Sequence, residues 1–326
     1  MSEVLFDYVG KLDGHKEAVT ALTCGVDSQG KPLLVSGSRD KKVIIWSLNL
    51  ENPQEVEQTS EVKDFLVGKP FKSLTGHNHF VSSLDLSSDS KYLVSGSWDK
   101  TARIWDLNTF KTTTILKGHE KDILAVKFTP DDRGVLTGSI DKTLRKWDLT
   151  GKETHKVDGH LGWVSSLSVV NRGDKNYFYA VGSWDQSVKF YDKNLNPKYS
   201  MDDHDYGVNS LAVSEDGDYL FSAEKNGKIR VVKVEDDHGE VKSTIDLGKD
   251  LNAVAFNSNS FIAISCGTSS GLVINEVNKS NKALFAPKFL GGACHSLCWD
   301  QSGTFLFAGY ADGTIRVIKY KGEESK

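Results

Sequence analysis

One short phrase of residues recurs along the chain at a nearly fixed interval. An Asp-Lys pair followed by Trp six residues after the Asp occurs at Asp40…Trp46, Asp99…Trp105 and Asp141…Trp147. Asp185…Tyr191 is a softened fourth copy. Each is preceded by Gly-His, at Gly14-His15, Gly76-His77, Gly118-His119 and Gly159-His160. A chain that repeats such a unit cannot bury its faces one unit at a time. It folds by stacking neighbours.

Three weaker copies follow. His204…Asn226…Val232 keeps the His but has Asp203 in place of Gly. Ser269…Asn275 and Asp312…Ile318 have lost both His and Trp, yet the apolar skeletons Leu251 to Phe256 and Cys294 to Trp299 survive. A unit of about forty residues with Gly-His early and Trp late is the signature of a WD-repeat blade. The spacing predicts an all-β, seven-bladed WD-repeat β-propeller, one domain over residues 1–326. Within a unit, Val81 to Leu86, Tyr92 to Gly96 and Ala102 to Trp105 alternate with period two and are separated by turns at Ser88-Asp89-Ser90 and Asp99-Lys100. The apolar stretch Leu5 to Leu12 precedes the first Gly-His. It is expected to supply the outer strand of the last blade and so to close the ring.

Composition narrows the function. A net charge of −4 gives no global attraction to nucleic acid, so any basic surface must be local. The four cysteines Cys24, Cys266, Cys294 and Cys298 form no disulfide-rich pattern. Cys294 and Cys298 flank His295, but four positions along a strand separate them by about 13 Å, too far to share an ion. Buried thiols and no metal are expected. The start Met1-Ser2-Glu3-Val4 lacks a signal-peptide pattern, and no apolar run is long enough to span a bilayer. A cytoplasmic protein without membrane insertion is expected. Residues 49–69 lengthen the first interval and carry Glu51, Pro53, Glu55, Glu57, Glu61 and Asp64. They read as a solvated acidic loop after the third strand of blade one, either a tolerated insertion or a docking site.

His77, Ser95 or Ser97, and Asp99 suggest acyl transfer if met once. Here the set recurs blade by blade with Trp as a fourth member, whereas an enzyme needs one site. The recurring sets His15/Asp40/Trp46, His77/Asp99/Trp105, His119/Asp141/Trp147 and His160/Asp185 are therefore expected to be buried hydrogen-bond chains, with no catalytic residue among them. No phosphate-binding glycine loop and no His-Glu-x-x-His exists. Neither cofactor nor small-molecule substrate is expected.

Function then falls to the rim loops. The residues before the turn Asp (Arg39, Trp98, Ile140, Trp184, Lys225, Ala311) and those opening the inner strands (Ala18, Phe80, Asp122, Trp163, Gly207) should share one face. A protein-binding surface is expected to take in Phe80, Trp98, Trp163, Trp184 and Tyr310, unless the indoles lie flat over neighbouring loops. Arg39, Lys41, Lys42, Lys100, Arg103, Lys142 and Arg145 form a basic arc over three blades. Such an arc either clamps phosphates without reading sequence or is a solvated rim.

Gly76-His77-Asn78-His79-Phe80-Val81-Ser82, Ser95-Gly96-Ser97-Trp98-Asp99-Lys100, Ser38-Arg39-Asp40-Lys41 and Phe307-Ala308-Gly309-Tyr310 resemble the receptor-for-activated-C-kinase family, and the similarity runs over essentially the whole chain. The resemblance implies a non-enzymatic scaffold on the small ribosomal subunit that recruits protein kinases and other signalling proteins. It also implies that Arg39 and Lys41 contact ribosomal RNA. The chain departs from the family at Ala18, where Trp is usual, at Ile140, where Arg is usual, and at Val232, Asn275 and Ile318, which replace Trp. These departures suggest a divergent eukaryotic member. The alternative is a soluble signalling adaptor of the G-protein β-like type acting off the ribosome. A true β subunit is disfavoured because its helical extension has no room before Gly14.

Overall fold

The computed structural model describes residues 5–27, 29–51, 54–55, 65–173, 176–257, 261–267, 271–276, 283–285 and 292–322. The readings made on Met1 to Val4, on Pro53, Glu57, Glu61 and Asp64, on Ser269 and on the Cys266 side chain fall outside what is described. Among the described residues the strands form seven sheets. Six have four strands in chain order, for example Val81–Leu86, Tyr92–Ser97, Thr101–Asp106 and Lys111–Lys117. The seventh combines Cys294–Trp299, Phe305–Tyr310 and Ile315–Tyr320 with Phe6–Leu12 from the other end of the chain. The architecture is an all-β WD-repeat propeller.

The first strand of each sheet lies innermost and carries a register shift after its first residue, as at Val19/Ala21, Val81/Ser83 and Val208/Ser210. The bulge turns the skipped side chain toward the neighbouring sheet. Thr20 Oγ1 donates to Val81 O, Ser82 Oγ to Ile123 O, Ser165 Oγ to Val208 O, Asn209 Nδ2 to Leu251 O and Asn252 Nδ2 to Cys294 O. In the seventh sheet the skipped residue is His295, and the next along, Ser296, completes the circuit, its Oγ donating to Val19 O at 3.0 Å, 277 residues away in sequence. One junction lacks the bond. Leu124 stands at the bulge of the third sheet and has nothing to donate. Between the sheets lie apolar clusters. One joins Ala21, Val35 and Ile45 to Val81, Leu84 and Trp105. Another spans the seam and joins Leu12, Val19 and Trp46 to Phe307, Ile315 and Val317.

The seam itself is an antiparallel pairing that runs from Phe6↔Tyr320 to Leu12↔Ile315. Phe6 and Leu12 are fully buried. Gly10 sits at the bulge with φ 151°, and a Cβ there would lie 2.3 Å from Phe65 O. The close approach marks a correction to the sequence reading. The described parts of the 49–69 insertion are not only loop: Gln54–Glu55 and Phe65–Leu66 are short strands on the edge of the seventh sheet. Val67 is buried, donating to Lys11 O and accepting from Asn49 N. An otherwise bare edge strand explains the location, because Phe6–Leu12 would leave backbone groups unpaired.

Candidate nucleic-acid interface

The recurring polar residues meet below the rim. His15 Nδ1 lies 2.9 Å from Asp40 Oδ2, and its Nε2 lies 2.7 Å from Ser36 Oγ. Ser36 Oγ also accepts from Trp46 Nε1 at 2.8 Å. His77, Asp99, Ser95 and Trp105 repeat this geometry, as do His119, Asp141, Thr137 and Trp147. The chain runs through Ser95 rather than Ser97, which instead caps the turn by accepting from Asp99 N. In the fourth sheet Val181 occupies the hydroxyl's place, and Tyr191 OH reaches His160 Nε2 directly at 3.2 Å. His160 Nδ1 is 3.5 Å from Asp185.

Each turn Asp also anchors the loop that carries its His. Asp40 accepts from Lys16 N, Asp99 from Asn78 N, Asp141 from Glu120 N and Asp185 from Leu161 N. In the fifth sheet Asn226 does not do this work. The fully buried Glu224 accepts from Asp205 N and Tyr206 N and pairs with Arg230 Nε at 2.8 Å. Its longer side chain covers the distance from two positions earlier on the strand.

Burial alone would raise the pKa of Asp99, Asp141 and Asp185. The hydrogen bonds from His77 and His119, the close approach of His160 to Asp185 and the neighbouring hydroxyls outweigh it and hold all three carboxyls well below the usual range. A carboxyl whose pKa falls on folding stabilises the fold above its unfolded value, near 4, and loses that contribution as pH drops through the folded value. Asp99→Ala removes one such contribution and orphans His77. In urea titrations it is expected to lower stability by about 1–3 kcal/mol and to reduce the acid dependence below about pH 4. Wild-type stability and an unchanged acid limb would contradict the buried role.

With the Asp side chains turned in, the residues around them point out. The backbone N of Arg39, Trp98, Ile140, Trp184, Lys225, Gly267 and Ala311 bonds the carbonyl of Ala18, Phe80, Asp122, Trp163, Gly207, Asp250 and Ala293 respectively. The repeated bond places these positions equivalently, on one face. Immediately after each Asp, Lys41, Lys100 and Lys142 take φ of 69°, 68° and 70°, in the left-handed region. Gly227 and Gly313 take positive φ in the weaker turns. Arg39, Lys41, Lys100 and Lys142 are exposed and Lys42 is half-buried. None of the five forms an ion pair with a described residue.

Two members of the expected arc do not belong to it. Arg145 is buried, donates to Glu153 at 2.7 Å and lies 3.9 Å from Asp141. Arg103 is half-buried over the Trp105 ring. Both cross the glycine of the Gly-His pair. A Cβ on Gly76 would be 3.0 Å from Arg103 Nη1, and one on Gly118 2.9 Å from Arg145 Nη1. The sequence signal for this was an Arg four residues after the turn Asp, repeated at Asp312/Arg316, where Arg316 bonds Asp312.

The expected aromatic surface divides in the same way. Tyr310 is 1% exposed and belongs to the core, under the Arg316 guanidinium, so it is no contact residue. Trp98 packs on Phe80 and His79 at centroid distances of 5.2 and 5.7 Å, and Arg39 lies 5.5 Å from the Phe80 centroid. The aromatic shelf of the second sheet thus supports the Arg39 side chain from the first. Trp163 and Trp184 stack on each other at 4.4 Å. Among the described residues, no three His, Cys, Asp or Glu side chains gather as a metal site requires.

A family model described as the IFT122 first β-propeller matches residues 6–267, and one described as the WD domain, G-beta repeat, matches residues 288–319. The chain is 40% identical to a rice protein named small ribosomal subunit protein RACK1y, over 96% of this chain and 95% of that one. It is 40% identical to the Drosophila melanogaster small ribosomal subunit protein RACK1, over 97% and 98% of the two. It is 37% identical to the cross-pathway control WD-repeat protein 2 of Flammulina velutipes, over 95% and 96%.

Proposed function

The chain belongs to the RACK1 family of WD-repeat proteins, and on that footing we propose that it is a seven-bladed, non-enzymatic scaffold of the cytoplasmic small ribosomal subunit, held there by cations on ribosomal RNA phosphates. The observation that carries the reading is the turn of the first sheet. Asp40 is committed to His15 and Lys16 N, while Arg39 and Lys41 are exposed beside it and pair with no described carboxylate. Lys42, Lys100 and Lys142 extend the same positive face. Phosphate contacts position a protein without reading bases, which suits a platform seated at one place on a folded RNA. The scaffold recruits kinases and other signalling proteins through the remainder of the rim.

Sucrose-gradient sedimentation tests this. At low salt the tagged chain is expected to travel with small subunits, and at several hundred millimolar salt to be released, as exposed ionic contacts are screened. A chain that stays at the top of the gradient at low salt would contradict the ribosomal reading. That outcome favours an adaptor acting off the ribosome, a reading which the exposed indoles of the fourth sheet also support.

A further inference from the structure

The fourth and fifth sheets expose an apolar patch that lies outside the proposed ribosomal contact. Among the described residues eight large apolar side chains are exposed, and four of them meet here: Leu161 at 82%, Tyr206 at 57%, Trp163 at 37% and Trp184 at 36%. Their adjacency is built into the backbone. Trp184 N donates to Trp163 O, Leu161 N donates to Asp185, and a Cβ on Gly207 would touch the Trp184 ring at 3.0 Å. Trp184 Nε1 donates to Asn209 Oδ1 at 3.0 Å, which fixes the ring plane. The two indoles stack on each other, the Trp184 ring also rests against Gly207 of the neighbouring loop, and Leu161, two residues before Trp163, is almost entirely in solvent. A contiguous patch of this kind is an interaction site more often than an accident of composition, and rigid aromatic anchors are favoured contact residues.

Charge indicates what fits. The carboxylates in the turns of the two sheets that carry the patch are engaged. Asp203 and Asp205 engage Arg230, Asp205 also pairs with Lys228 at 2.5 Å, and Asp185 faces His160 and Ser187. Lys225 is exposed, sits 5.2 Å from the Trp184 centroid and pairs with no described carboxylate. The unpaired charge directly over the indoles is therefore positive. It is a single cation, and the whole fourth sheet lies between it and Lys142 of the third, which suits one carboxylate better than a run of phosphates. We propose that this patch docks an acidic peptide segment of a partner protein, with an apolar side chain against Trp163 and Trp184 and a carboxylate on Lys225. The inference deepens the scaffold part of the proposed function and does not depend on the ribosomal contact.

The test is direct binding, without ribosomes. Fluorescence anisotropy of the full chain is measured with a labelled peptide Gly-Asp-Glu-Leu-Phe-Glu-Asp-Gly, with its counterpart in which Lys and Arg replace the acidic residues, and with an eight-residue oligouridine. The acidic peptide is expected to bind saturably and at least tenfold tighter than the other two. Lys225→Glu should reverse the order of the two peptides, and Leu161→Asp should weaken the acidic peptide at least tenfold. Both residues are exposed, so the melting temperatures of these variants should match wild type. Arg39→Asp with Lys41→Glu should leave peptide binding unchanged, which separates failure here from failure at the ribosome. Absence of acidic-peptide binding, equal binding of both peptides, indifference to Lys225→Glu, or oligouridine binding that Leu161→Asp removes would overturn the proposal; the last would make the patch an RNA surface.

Discussion

Arg39→Asp combined with Lys41→Glu is expected to abolish co-sedimentation with small ribosomal subunits and to leave the fold intact. Both side chains are exposed and bond no described carboxylate, so neither replacement orphans a partner. Lys41 already carries a Cβ at φ 69°, and Glu there adds no new backbone strain. On the RNA side each reversal turns an attraction into a repulsion of similar size. Two reversals at surface dielectric should weaken binding by roughly a hundredfold or more at low salt. The Phe80 shelf should add to the loss, since it holds the Arg39 guanidinium that the variant removes. The readouts are the pelleted fraction and the thermal midpoint, taken on one preparation. Full pelleting by the variant would remove the turn of the first sheet from the interface.

Deleting residues 1–12 should have the largest effect on the fold. The deletion removes the fourth strand of the seventh sheet and with it the register from Phe6↔Tyr320 to Leu12↔Ile315. Phe6 and Leu12 each contribute about 1.5–3 kcal/mol of apolar burial. Ile315–Tyr320 is left as an unpaired edge, and the Val67 to Lys11 bond that seats the insertion is lost. Against a total stability of about 5–15 kcal/mol, such a loss should lower the thermal midpoint by roughly 10 °C or more and promote aggregation through the bared strand. A deletion variant that melts with the full chain would mean that the ring does not depend on its N-terminal strand.

The interval between Gly-His, Asp and Trp made the repeats legible because a buried hydrogen-bond chain tolerates few residue types. His15, Asp40 and Trp46 meet through Ser36, and the same reasoning extends to the second and third sheets. Glu224 was not legible, because a longer carboxylate two positions early does the turn Asp's work through a different reach. Nor were the bonds that link one inner strand to the next. Thr20, Ser82, Ser165, Asn209 and Asn252 look like ordinary strand polar residues until the bulge turns each toward its neighbour.

The basic arc was overdrawn for a related reason. Sequence adjacency to a turn does not say which way a long side chain runs. Arg103 and Arg145 lie back across Gly76 and Gly118, whereas the residues on either side of the turn Asp, such as Arg39 and Lys41, extend outward. Tyr310 follows the same lesson. It closes its strand, one residue short of the exposed rim position Ala311, and packs inward.

The most direct test is the salt dependence of binding to small subunits stripped of their own copy, compared for wild type and Lys41→Gly. Glycine is at ease at φ 69°, so this variant removes a cation without disturbing the turn. If Lys41 holds an RNA phosphate, the slope of log K against log salt should become shallower by about 0.7–0.9, with weaker binding at low salt and an unchanged or higher melting temperature. An identical slope and affinity in the variant would show that Lys41 touches no phosphate, and the account of how this propeller sits on the ribosome would fail.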